Sequence, residues 1–297
     1  MTLFAFVGAV ETGLIFALVA LGSFLTFRLL DFPDLTVEGS FPLGAAVTAK
    51  LMVAGLDPWA ATAVGGVAGC FAGLATAYLN LKLRILHILA SILTAIALYS
   101  VNLRIMSGPN VGLLNVPTVY TFGEQLGIPS LYVPLIVVGI VVIIAKLLLD
   151  VFLATGFGMA LRATGANPRM ARANGINVNL MICVGLAIAN GLTGLAGGLF
   201  AQILGAADVS MGIGVIVIGL AAVIGGTAVM PSRLIPLLTL ACVLGSIIYR
   251  IAIAFALNSD LVGLSASDVN LVTAILVAIA LVAPGSKFRL FKGALAK

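Results

Sequence analysis

The stretch LFAFVGAVETGLIFALVALGSFLTFR, from Leu3 to Arg28, decides the class of the fold. It holds one ionisable residue, Glu11, before the arginine that closes it. About 20 consecutive apolar residues in a helix cross the hydrocarbon core of a bilayer, and this run is long enough. A secretory signal would open on basic residues, whereas Arg28 is the first basic residue here. The run is therefore expected to be a retained first span. The remainder has the same character: 62% of the 297 residues are hydrophobic and 8% charged, and the mean hydropathy is +1.26. Ordinary globular domains carry about 25% charged residues. So little polar surface cannot coat a water-soluble fold of this size, and the chain is expected to be an all-α polytopic membrane protein.

Working outward by the same length rule gives about nine candidate spans, within an expected 8–10 transmembrane helices. They run roughly 3–28, 39–54, 59–81, 86–106, 131–153, 180–204, 212–224, 234–257 and 269–282. Two of them, Gly39 to Ala54 and Gly212 to Ile224, are short and glycine-rich and are expected to be broken or re-entrant. No soluble domain fits between the spans. The chain reads as a single transmembrane domain, 1–297, with a first half 1–153, a polar loop 154–178, a second half 179–283 and a basic tail 284–297.

Scarce charges set an orientation. With the N-terminus outside and nine crossings, one face receives Arg28, Lys82, Arg84, Lys146, Arg162, Arg169, Arg172, Arg233, Lys287, Arg289, Lys292 and Lys297, and the other only Lys50, Arg104 and Arg250. Lys and Arg concentrate in cytoplasmic loops, so the first face is expected to be cytoplasmic. The outer loops would hold Asp57, Glu124, Asp260 and Asp268. One crossing more or fewer would reverse the N-terminus. The net charge of +5 is read as this bias and not as a nucleic-acid footprint.

Cys70, Cys183 and Cys242 each sit alone in an apolar run, where cysteine behaves as a small hydrophobe. With one histidine, His87, no metal site is expected. No Ser/His/Asp or Cys/His arrangement suggests an enzyme. Gly65, Gly69 and Gly73 recur every four residues, and Gly194 and Gly198 repeat the spacing. Small residues at such spacing let helix backbones approach closely in lipid.

Two distant stretches echo one another: DLTVEGSFPLGAAV, Asp34 to Val47, and DVSMGIGVIVIGLAAV, Asp208 to Val223. Each follows a long span and opens on Asp, and in the nine-span topology they start at opposite faces. That is the arrangement of an inverted internal repeat, whose interrupted segments point to a transport pathway. The acids near the first break have two readings. Asp31, Asp34 and Glu38 either are solvated in a cytoplasmic turn, or the turn folds back so that Asp34 or Glu38 faces a polar cavity. Glu11, within the first span, either faces the bundle interior or lies at the outer interface.

The longest polar stretch on the expected cytoplasmic face is GMALRATGANPRMARANGIN, Gly158 to Asn177. Asn167 followed by Pro168 reads as an N-cap with proline at the first helical position, and Gly175 as the left-handed residue that ends a helix. A short helix over about Pro168 to Asn174 is expected. Two turns are not stable alone in water, so it must pack on the bundle or on a partner.

This loop resembles that of ABC importer permeases of the branched-chain amino acid and ribose type. The likeness extends to Asp34–Val47, to Gly191–Phe200 (GLTGLAGGLF) and to Ile224-Gly-Gly-Thr227, and covers most of the chain in order. The variant FPDLTVEGSFPLGAA, Phe32 to Ala46, is most similar to a subgroup described as tryptophan/tyrosine importers. The resemblance implies a transport subunit with no cofactor of its own, and the chain holds no Gly-x-x-x-x-Gly-Lys-Ser/Thr loop. ATP and Mg would sit on a separate cytoplasmic ABC ATPase. A solute-binding protein would deliver an aromatic or branched-chain amino acid from outside the cell membrane, and a second permease copy, identical or related, would complete the pore. The implied ATPase-coupling surface is Arg162, Ala163, Thr164, Asn167, Pro168, Arg169, Met170, Ala171, Arg172 and Gly175. Candidates for the translocation pathway are Asp34, Thr36, Glu38, Gly39, Ser40, Asp208, Ser210, Gly225 and Gly226. The competing reading is an ion-coupled secondary transporter in which Glu11, Asp34 or Glu38 binds the proton or cation. An aquaporin-like channel is disfavoured, because its paired Asn-Pro-Ala motifs are absent and Asn-Pro occurs once, at Asn167.

Overall fold

The computed structural model describes residues 3–121, 129 and 131–257. The expected ninth span, the basic tail, and Glu124, Asp260 and Asp268 lie outside the described residues. Helix α1, Leu3–Ser23, runs on through a π-helical turn, Phe24–Leu29. It is followed by α2 (Val37–Val53), α3 (Pro58–Leu81), α4 (His87–Met106), a short strand β1 (Asn110–Gly112) and α5 (Val133–Ala154). Two loop helices, α6 (Gly156–Ala166) and α7 (Pro168–Ala173), lead into α8 (Val178–Leu204). The chain then passes through β2 (Ala206–Asp208) and a 3-10 turn (Val209–Gly212) to α9 (Val215–Val229) and α10 (Ile235–Leu257). Among the described residues seven helical stretches are long and apolar enough to cross a membrane, so the chain is an all-α polytopic membrane protein.

Local chemistry sets the boundaries. The Asp57 carboxylate accepts from the backbone N–H groups of Trp59 and Ala60 at 3.0 and 3.1 Å, and Pro58 opens α3. Gly205, with φ +71°, closes α8, and Gly214, with φ +78°, admits α9. Both conformations are left-handed and suit glycine.

The bundle is assembled through small residues. Gly44 of α2 lies against the Gly194 carbonyl of α8, and Gly69 and Gly73 of α3 lie against the carbonyls of Asn190 and Leu186. Gly65 meets Thr48 and the Gly44 carbonyl. The four-residue glycine spacing in α3 is thus a helix-packing seam, as expected. In the second half Gly226 of α9 meets the Ala241 carbonyl of α10, and Gly245 of α10 meets the Ala222 carbonyl of α9. Helices α1, α2, α3 and α8, α9, α10 form two similar triplets. The first member of each packs on the third member of the other: α8 on α3, and α1 on α10, where Ser246 Oγ donates to the Gly13 carbonyl at 2.7 Å. Helix α2 runs parallel to α8, α9 runs parallel to α1, and α1 is antiparallel to α8, so α2 and α9 point in opposite directions. This is the geometry of inverted halves.

Both echoing segments fold as irregular backbone followed by a helix, and neither helix is broken within itself. Helix α2 is continuous despite Pro42, and the irregular backbone lies before it. Helix α9 starts at Val215 and alone spans about 22 Å at 1.5 Å per residue. Counted with the 3-10 turn before it, the stretch Val209–Val229 reaches spanning length. The irregular parts of the two halves touch. Proline lacks the N–H that would bond to the carbonyl four residues back, and Gly212 packs on that carbonyl, of Glu38, and on the Pro42 ring.

At one end of the bundle lie Arg28, Lys82, Arg84, Arg162, Arg169, Arg172 and Arg233, in or beside the connections between helices. Lys146 pairs with Asp150 at 2.5 Å, and Thr239 of α10 donates to the same carboxylate at 2.6 Å. Lys50 donates to Ser107 at the opposite end. Arg250, counted with the outer face and inside the span expected at 234–257, lies in α10 with its guanidinium 4.1 Å from the centre of the Phe16 ring. Glu11 is buried in α1 and does not lie exposed at an interface. Helices α4 and α5 turn large apolar side chains outward, among them Leu93, Ile140, Ile144 and Leu148, as a lipid-facing surface requires.

Candidate functional site

Residues 30–36 thread into the bundle as non-helical chain, and the reading of Asp34 as a solvated turn is overturned. Asp31 is exposed, but Asp34 is 0% exposed. Its Oδ1 accepts from the Thr36 N–H at 2.9 Å, and its Oδ2 accepts from Asn190 Nδ2 at 2.7 Å. Ser40 Oγ donates to Asn190 Oδ1 at 2.8 Å, and the Thr36 and Thr76 hydroxyls share a hydrogen bond of 2.6 Å. Asp34, Thr36, Ser40, Thr76 and Asn190 are all fully buried. This polar knot joins the start of α2 to α3 and α8. Its hydrogen bonds satisfy the buried carboxylate, which is otherwise expensive inside a protein. Sequence reasoning missed Asn190 and Thr76, although Asn190 is an amide in the middle of a long, mainly apolar span. In this conformation Asp34, Thr36 and Ser40 line no open path.

Asp208 makes the matching turn in the second half, accepting from the Ser210 N–H at 2.7 Å. Unlike Asp34 it is only partly buried. The two remaining pathway candidates separate: Gly226 is a packing residue against α10, and Gly225 has open space where a side chain would project.

Glu38 is half-buried and bridges the halves, its Oε1 accepting from the Gly214 N–H at 3.2 Å. It lines an open cavity of about 360 Å³ together with Gly39, Ser210 and residues of α4, including Tyr99, Ser100 and Asn102.

The loop forms two helices, not one. Helix α7 matches the expected span: Asn167 Oδ1 accepts from the N–H groups of Arg169 and Met170, both at 3.1 Å, and Gly175 has φ +79°. Helix α6 is additional; Thr155 caps it by accepting from the Gly158 N–H. Leu161 of α6 is fully buried, and Gly165 sits against the Leu29 carbonyl, where a side chain would not fit. The loop is therefore seated on the turn that leads into residues 30–36. Arg162, Asn167, Pro168, Arg169, Met170, Arg172 and Gly175 are exposed. Thr164 and Ala171 are buried and Ala163 is half-buried, so these three anchor the loop and do not present a surface.

Replacing Asn190 with leucine removes the donor to Asp34 and the acceptor of Ser40. Leaving a buried polar group unpaired costs about 1–3 kcal/mol. The variant should melt several degrees below the parent in detergent; an unchanged Tm would mean that the knot contributes nothing to stability.

No solved structure matches the chain. It is 38% identical to the tyrosine transport system permease protein of Clostridioides difficile over 280 residues, covering 94% of this chain and 91% of that protein. It is 34% identical to an uncharacterized protein of Rickettsia prowazekii, covering 92% and 95% respectively. A more distant likeness, 30% over 218 residues, is to the D-allose transport system permease protein of Escherichia coli, covering 71% of this chain and 64% of that one. The family model of the branched-chain amino acid transport system permease component matches residues 6–283. With its apolar helices, its small-residue seams and its capped loop, the chain belongs to that permease family, as a multi-pass membrane protein of a transport system.

Proposed function

We propose that the chain is the transmembrane subunit of an ABC importer in the cell membrane, taking up an amino acid of the aromatic or branched-chain kind. The work of transport comes from a separate cytoplasmic ATPase that presses on α7. A solute-binding protein on the opposite side delivers the substrate, and a second permease copy completes the pathway. One observation carries this reading. The loop helices expose Pro168, Arg169, Met170 and Arg172 on one side. On the other they are locked by Leu161 and Gly165 onto Leu29 and Leu30. Four residues further on is Asp34, bonded to α8. A push on the exposed face is therefore passed through the packed contacts at Leu29 and Leu30 toward the start of α2, which Asp34 ties to α8. The amino-acid substrate is supported by the likeness to the tyrosine permease.

The competing ion-coupled reading is weakened at Asp34, whose carboxylate is fully buried and accepts hydrogen bonds at both oxygens. Reconstitution separates the two. Proteoliposomes holding the permease, its ATPase and its binding protein should accumulate the amino acid when ATP is enclosed, and an ionophore should leave uptake unchanged. Uptake that persists without ATP and collapses with the ionophore would favour ion coupling.

A further inference from the structure

The cavity beside Glu38 is mostly apolar, and its few polar side chains include the Glu38 carboxylate and the Asn102 amide. It lies between the start of α2, the middle of α4 and the 3-10 turn before α9. Its volume of about 360 Å³ is in the range of small-molecule sites. The Glu38 carboxylate spends one oxygen on the Gly214 N–H. Asn102 is fully buried; its Nδ2 donates to the Gly39 carbonyl at 3.3 Å, and its Oδ1 has no hydrogen-bond partner among the described residues. Among the described residues no lysine or arginine lines the cavity. A carboxylate and an orphaned amide oxygen at this depth are costly unless a donor arrives to satisfy them. Asp34, a few residues away, is fully buried and does not line this cavity.

Resting on the importer reading, we infer that this cavity is a subsite for the protonated primary amine of the transported solute, held by Glu38 and Asn102. An ammonium brings positive charge and three N–H donors with no acceptor, the complement of these two groups. The apolar remainder, with Pro42, Ile96 and the Tyr99 ring, receives the rest of the molecule. Because Glu38 also holds the N–H that precedes α9, an amine bound here contacts the junction of the two halves.

The test is equilibrium binding to the full-length permease in lipid nanodiscs, with tyramine as the probe. Tyramine should bind, L-tyrosine should compete, and 3-(4-hydroxyphenyl)propionate, which lacks the amine, should compete at least tenfold more weakly. Glu38→Gln and Asn102→Leu should each weaken tyramine at least tenfold, with Glu38→Asp between Gln and the parent. Elution volume and Tm at parental values confirm that each variant is folded. Absence of tyramine binding, equal competition by the deaminated acid, or parental affinity in folded Glu38→Gln would each overturn the assignment. So would displacement of tyramine by sodium chloride but not by choline chloride, which would mark an alkali-cation site. ATP-driven uptake is measured separately on the parent complex. Its failure would remove the importer reading and leave the binding result standing.

Discussion

Met170→Asp should abolish ATP-driven uptake while leaving insertion, elution volume and Tm unchanged. Met170 is 54% exposed on α7, a two-turn helix capped by Asn167 and ended by Gly175. A carboxylate there costs the folded permease little, because the position already faces solvent. It would place a charge in the surface proposed to meet the ATPase, where an unpaired buried charge is strongly unfavourable. Pro168→Asp should act in the same direction. Gly165→Leu tests the other side of the loop. Its side chain would collide with the Leu29 carbonyl, so α6 must lift off the end of α1. ATP hydrolysis should then continue, uncoupled from uptake. Initial rates of both in proteoliposomes decide the matter, and near-parental uptake in Met170→Asp would remove α7 from the coupling surface.

Gly44→Leu should have the largest effect on the fold itself. The glycine lies in α2, wholly within the bundle, against the Gly194 carbonyl of α8, and its own carbonyl faces Gly65 of α3. Three helices meet at this point with backbone against backbone. A flexible side chain could swing away from an added methyl group, but a helix carbonyl cannot. Overpacking a well-packed core costs about 1–3 kcal/mol and sometimes more, and three helix axes must separate here. The variant should aggregate on solubilisation or melt far below the parent. Gly55→Ala is the contrasting control for crowding: among the described residues nothing lies within 4 Å of an added methyl there, although the φ of +89° adds local strain. Equal Tm values for Gly44→Leu and the parent would show that the seam is loosely packed.

Much of the fold was legible because spanning a bilayer is a demand on local composition. Length and apolarity located the long spans, and the Asn-Pro and glycine signals located α7 within a residue, since a cap is satisfied by its immediate neighbours. Helix α6 escaped because its glycines, at 156, 158 and 165, look like a flexible linker. Two of them are close-approach positions against Leu153 and Leu29. The candidate site was half legible. The paired Asp-x-Thr/Ser signals marked both breaks, and Asp34 and Asp208 do make the same turn. The aromatic partner of Arg250, Phe16 on α1, lies 234 residues away and was not legible in the sequence.

The sequence by itself determined the solvent of this protein, its helical class, the residues that end its helices and the place of its loop helix. Each of these follows from interactions within a few residues along the chain, or from the summed transfer of apolar groups into lipid. Only the tertiary structure decided which charges are spent. Asp34 reaches Asn190 across 156 residues, and Glu38 reaches Gly214 across 176. Whether a carboxylate is sealed in a knot or left facing a cavity depends on the depth at which two distant helices cross. That depth is set by glycines meeting carbonyls on neighbouring helices, a fit of surfaces that no local pattern encodes.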